Sequence, residues 1–201
     1  WFYKENKGNG VFAAAQLLSQ QPSLKGSGVP QIQDIDGDGS KELVIINEQL
    51  SGFYNYQSSE WKNFIPFKEM PNINWQDPNL KLIDLNGDGY ADLLITEDNL
   101  LRWFPSKAKE GYETCKVVQK KIDEQEGPAL VFADTTQSIY LADMSGDGLT
   151  DIVRVRNKDI AYWPNLGYAH FGAKVSMDKA PIFDSPELFN QHNIRLADID
   201  G

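Results

Sequence analysis

One nine-residue acidic motif, written out three times in 201 residues, constrains this chain more than any other feature. The copies are Asp34-Ile35-Asp36-Gly37-Asp38-Gly39-Ser40-Lys41-Glu42, Asp84-Leu85-Asn86-Gly87-Asp88-Gly89-Tyr90-Ala91-Asp92 and Asp143-Met144-Ser145-Gly146-Asp147-Gly148-Leu149-Thr150-Asp151. A fourth begins at Asp198-Ile199-Asp200-Gly201. The leading aspartates stand at 34, 84, 143 and 198, so the spacings are 50, 59 and 55 residues. A unit of that length is one supersecondary element that buries its apolar face against its neighbours in the array.

The flanks of each motif read as strands. A short alternating segment precedes it, such as Lys81-Leu82-Ile83, and a mostly apolar run follows, at 43–46, 93–95 and 152–155. Strand, loop and strand make a hairpin. Aromatic pairs recur at a fixed distance, Phe53-Tyr54, Trp103-Phe104 and Tyr162-Trp163, and mark a third strand. A more polar fourth strand follows, as at 171–177. Tyr3, Asn6, Gly8 and Phe12 repeat Tyr162, Asn165, Gly167 and Phe171 at a constant offset of 159. Four strands per unit and a period near 50–60 predict an all-β chain, a β-propeller segment of about three to four four-stranded blades. The expected spans are 1–28 for the second half of a blade, then blades at 29–79, 80–138 and 139–193, and 194–201 as the start of another. With Trp1 inside an aromatic run and the last motif incomplete, we read the chain as a fragment of a larger protein. The polar run 119–126 is expected to be a solvated loop. Ser185-Pro186-Glu187 is expected to cap one helical turn.

Alternating acids in a tight loop suit a hard cation, because calcium takes about 6–8 oxygens at roughly 2.3–2.6 Å. Loop positions 1, 3, 5 and 9 supply side-chain oxygens, and position 7 a backbone carbonyl. The predicted ligands are therefore Asp34, Asp36, Asp38, Ser40 and Glu42 in the first loop, and Asp84, Asn86, Asp88, Tyr90 and Asp92 in the second. The third offers Asp143, Ser145, Asp147, Leu149 and Asp151. By carboxylate count the first site is ranked tightest and the third weakest. An EF-hand is excluded, since its position-12 Glu falls on Ile45, Ile95 and Arg154. Zinc is disfavoured by the lack of Cys or His in the loops. The competing reading is a set of Asx-Gly turns whose carboxylates bond their own backbone. Threefold repetition favours structural calcium.

The net charge is −10, with 19 basic against 29 acidic residues, which disfavours nucleic acid and anionic membrane surfaces as partners. No apolar run approaches the length of a membrane span, so direct membrane insertion is not expected. Twelve of the acids lie in the four loops, so much of this charge belongs to candidate metal sites. Hydrolase, Walker and zincin motifs are absent, and Cys115 is the single cysteine. Its segment, Glu113-Thr114-Cys115-Lys116-Val117, reads as a strand with a packed or half-exposed thiol. The acid pairs recur in every unit, whereas an active site is built once, so no enzyme is predicted.

These loops and strands resemble the FG-GAP/VCBS-type repeats of integrin α-subunit propellers and of many bacterial surface proteins. A narrower resemblance rests on residues 139 to the end, notably Asp143-Met144-Ser145-Gly146-Asp147-Gly148-Leu149-Thr150-Asp151-Ile152-Val153-Arg154 and Ala161-Tyr162-Trp163-Pro164-Asn165-Leu166-Gly167-Tyr168. It is similar to the propeller region of the B component of Tc-type insecticidal toxin complexes, shared with SpvB-like virulence proteins. Over 1–130 mainly the repeat pattern carries the likeness. The resemblance implies a secreted, extracellular assembly. Its B component joins a toxin-bearing C component, docks through the propeller on a channel-forming A component, and gates passage of the toxic polypeptide. The alternative is a calcium-dependent adhesin or lectin-like propeller that binds glycans or host proteins.

Overall fold

The computed structural model describes residues 1–18, 21–23, 30–46, 50–57, 60–134, 138–183 and 194–196. Over these residues the chain is all-β, and its one helical element is the 3-10 turn Ala108–Glu110. Two compact units divide it, Trp1–Lys68 and Glu69–Gly201.

In the first unit, β1 (Phe2–Tyr3) and β2 (Gln16–Leu17) form an antiparallel ribbon. Next come β3 (Gln31–Gln33), β4 (Glu42–Ile45) and β5 (Gly52–Tyr54). A side hairpin, β6 (Tyr56–Gln57) and β7 (Glu60–Trp61), interrupts before β8 (Ile65–Pro66) closes the four-stranded sheet in the order β3-β4-β5-β8. Ile35, Val44 and Phe53 form its core, with Ile46 and Phe67 packed against them.

The second unit holds two complete sheets of the same kind. One runs β9 (Leu80–Ile83), β10 (Asp92–Thr96), β11 (Leu100–Phe104) and β12 (Lys116–Gln119). The other runs β13 (Ser138–Ala142), β14 (Asp151–Arg156), β15 (Asp159–Trp163) and β16 (Val175–Ser176). Each is an antiparallel meander with its strands in chain order, the blade architecture of a propeller. The second strand of each blade is covered on both faces. This is why it reads as a continuous apolar run rather than an alternating one. Leu94 packs with Ile83, Leu85 and Trp103 on one side, among residues that include Ala169 from the third blade. Leu93 and Ile95 face the other side, with Phe104, Tyr112 and the segment around Met70, Ile73 and Trp75.

Register fixes where the acids stand. Glu42 pairs with Gln33, Asp92 with Ile83 and Asp151 with Ala142, so the ninth loop residue is always the first residue of the second strand. The N-terminal ribbon keeps the offset of 159: Phe2↔Leu17 and Tyr3↔Gln16 repeat Ala161↔Ser176 and Tyr162↔Val175. The bridge Asn6↔Phe12 likewise repeats Asn165↔Phe171. The ribbon is thus the third and fourth strands of a blade.

Two expectations differ from what is seen. The fourth strand of the third blade pairs over Val175–Ser176 only, because residues 165–172 are drawn into a loop of their own. The polar run 119–126 is not merely solvated: Ile122 is fully exposed, but Glu124 and Gln125 bond to the third blade. Ser185-Pro186-Glu187 and the partial loop at 198–201 lie outside the described residues.

Candidate functional site

The three acidic loops share one bonding scheme. The position-one carboxylate accepts an amide hydrogen from each loop glycine. Gly37 and Gly39 donate to Asp34 at 2.8 and 2.9 Å. Gly87 and Gly89 donate to Asp84 at 2.7 and 2.9 Å, and Gly146 and Gly148 to Asp143 at the same two distances. Turning both amides toward one carboxylate puts these residues in the left-handed region, with φ of 86° at Gly89 and 89° at Gly148, where a side chain is strained. The position-five acids accept from position seven: Ser40 to Asp38, Tyr90 to Asp88 and Leu149 to Asp147. The Gly148 amide, with the other loop donors, holds the Asp143 carboxyl below the usual carboxylate range.

The ninth acid is buried and ties the loop to a second feature. One oxygen of Asp92 accepts from the Leu85 amide at 3.2 Å and the Trp103 indole at 2.9 Å, and the other from the Ser106 amide at 2.7 Å. Asp151 repeats this with Met144 and Ser145 on one oxygen and the Asn165 amide, at 2.8 Å, on the other. Ser106 and Asn165 open equivalent loops that close on Tyr112 and Phe171. The Asn165 loop reaches back to the second blade, where Tyr168 N–H donates to the Leu85 carbonyl at 2.6 Å. Desolvation by burial pushes the Asp92 carboxyl up to about 6, against the pull of its three donors. The aromatic pairs that mark the third strands contribute Phe53, Trp103, Phe104 and Trp163 to the buried core. The partners Trp103, Ser106 and Asn165 were not foreseen. Their signal was the recurrent aromatic-aromatic-Pro-Ser/Asn run at 103–106 and 162–165.

The loops differ in how they gather ligands. In the first, one carboxylate oxygen each from Asp34, Asp36 and Glu42 lies within 4.8 Å of the others. Three converging carboxylates fit a hard divalent cation. Glu42 is one methylene longer than Asp92 and Asp151, and the side hairpin β6–β7 stands where the second and third blades carry their Ser106 and Asn165 loops. Among the described residues no second group of three acids converges. In the second loop the Asn86 amide donates to Asp88 at 2.8 Å, and in the third the Ser145 hydroxyl donates to Asp143 at 3.5 Å. Cys115 differs from its expected place in a strand: it is exposed and stands just before β12, with its thiol toward the Lys116 carbonyl.

A repeated strand–acidic loop–strand unit of this kind defines a known family, the FG-GAP-like repeat, which matches residues 34–95 and 84–154, more than half of the chain. The chain belongs to the FG-GAP-like repeat family. This FG-GAP-like chain also matches solved structures. A Tc holotoxin pore of Photorhabdus luminescens superposes on 99% of it with a TM-score of 0.79 at 26% identity. An Agrocybe aegerita lectin, solved for its specific recognition of non-reducing terminal N-acetylglucosamine, covers 90% of it with a TM-score of 0.58 at 18% identity. The fold is that of the Tc toxin propeller region. The likeness to the lectin is one of fold alone. The chain spans 9% of the Tc chain and 47% of the lectin. No curated protein matches the sequence.

Proposed function

We propose that this chain is a non-catalytic assembly module of a secreted Tc-type toxin complex. In this reading it is part of the B-component propeller that docks on the channel-forming A component, gates passage of the toxic polypeptide, and is joined to the toxin-bearing C component. The observation that carries the reading is the match to the Photorhabdus holotoxin over 99% of the chain, with a TM-score of 0.79. The bonding scheme supports it too, because the position-one and position-five acids of all three loops, with Asp92 and Asp151, bond within their own blades in a pattern that repeats. The adhesin reading draws only on a shared fold, which propellers lend to many functions.

Structural calcium belongs to the same proposal, at the first loop above all. Bound there by Asp34, Asp36 and Glu42, the ion would neutralise converging carboxylates and fasten β3 to β4. The docking test mixes a protein that carries residues 1–201 with a channel-forming A component of a Tc-type complex, and resolves the mixture by size exclusion. The proposal expects a stable complex. A folded protein that elutes alone at micromolar concentration, or a complex that survives replacement of residues 1–201 by an unrelated linker, would contradict it.

A further inference from the structure

The third blade carries an arginine where its siblings carry isoleucine. Arg154 occupies the register position of Ile45 in β4 and Ile95 in β10, in the most buried strand of its sheet, and it is 2% exposed. A buried guanidinium needs carboxylates. Asp159 supplies one from the same hairpin at 2.9 Å. The other is Glu124, at 2.6 Å, from a segment that starts on the neighbouring blade.

That segment, residues 120–134, is fastened at three places. At its start the Lys120 ammonium donates to the carbonyls of Glu97 and Leu130, both at 2.6 Å, and burial lowers its pKa. At its end Phe132 N–H donates to Thr96 Oγ1 and Ala133 N–H to Asn79 Oδ1, at 2.9 and 2.8 Å. Glu97, Thr96 and Asn79 belong to the second blade, and the bond from Lys120 to Leu130 closes the strap on itself. The middle lies on the third: the Trp163 indole donates to the Glu124 carbonyl at 2.7 Å and Lys174 N–H to the Gln125 carbonyl at 3.0 Å. The Lys174 ammonium meets the other Glu124 oxygen at 2.7 Å, and the Arg154 guanidinium lies 5.3 Å from the Trp163 ring centroid.

We propose that residues 120–134 are a charge-latched strap that locks the third blade onto the second, with Glu124 as the latch closing on Arg154 and Lys174. The two blades then move as one body, and any opening of this seam requires Glu124 to leave first. Lys174 and Arg154 hold the Glu124 carboxyl down to about 2, so it is charged at every ordinary pH and the latch stays set. The inference stands on the strap's own contacts and does not depend on the toxin reading.

Hydrogen exchange on the 201-residue chain tests it. Glu124→Gln is expected to speed exchange at the Lys174 amide and the Trp163 indole by at least about tenfold, as a local opening. The Trp103 indole, bonded to Asp92 within the second blade, should stay as slow as before. Unchanged rates at Lys174 and Trp163 overturn the latch. Equal acceleration at Trp103 does so too, since the effect is then global stability. If Glu124→Gln does not fold, Arg154→Ile combined with Glu124→Gln removes the unpaired arginine and restores the residue type of the other blades. That double variant should fold and show the same selective opening. Failure of the double variant to fold would make the pair part of the core and sink the proposal.

Discussion

Asp92 and Asp151 show how much a single carboxylate can organise. Each stands at the first residue of a second strand and accepts from both the acidic loop and a loop 14 residues downstream. Asp92→Ala would strand the Leu85 and Ser106 amides and the Trp103 indole in a dry interior. At about 1–3 kcal/mol per orphaned donor, the expected loss is on the order of 4 kcal/mol in urea unfolding, well above that of Asp92→Asn. A cost under about 1 kcal/mol would mean that water replaces the carboxylate. Close approach imposes a second demand at Gly111, whose φ is 114° and where a Cβ would meet the Glu69 carbonyl oxygen at 1.9 Å. Gly111→Ala should destabilise the second unit by roughly 2–4 kcal/mol, read as a shifted urea midpoint. The acids and glycines were legible in the sequence because their spacing repeats. Their partners were not, because Trp103, Ser106 and Asn165 reach the ninth acid only after the next strand has folded back through a hairpin.

At the scale of the element, second strands were the easiest to read. Being covered on both faces leaves an uninterrupted apolar run, as in Leu93, Leu94 and Ile95. Short outer strands and the β6–β7 hairpin carry no such mark. The strap was hidden for a related reason: a polar segment that bonds through its backbone and one glutamate looks like any solvated loop. Its latch predicts a pH effect. Glu124 falls from its ordinary 4.5 to about 2 in the folded chain, so its contribution is complete above about pH 4.5 and is lost as pH falls toward 2. Acid titration of stability should therefore be flatter for Glu124→Gln across that window, and parallel curves would count against the pairing. For the first acidic loop, calcium binding to the native state should raise the melting midpoint, by about 2.7 kcal/mol of stability at a hundredfold excess over Kd. Asp36→Ala should remove most of that rise, whereas Asp147→Ala in the third loop should leave it largely intact. Chelator-insensitive melting of the folded chain would reduce the first loop to a self-bonded turn.

For the whole molecule, the period of the acidic motif was enough to predict an all-β propeller segment, and the family and fold comparisons agree. A fold of this kind hosts many activities, so function has to come from where the blades sit in an assembly. The most direct measurement of the proposed role is electron cryomicroscopy of a protein that carries residues 1–201, mixed with a channel-forming A component of a Tc-type complex. The account predicts residues 1–201 within a propeller at the interface, with the channel component against its loops. Density that places these blades away from the interface, or a complex formed wholly by other domains, would contradict it.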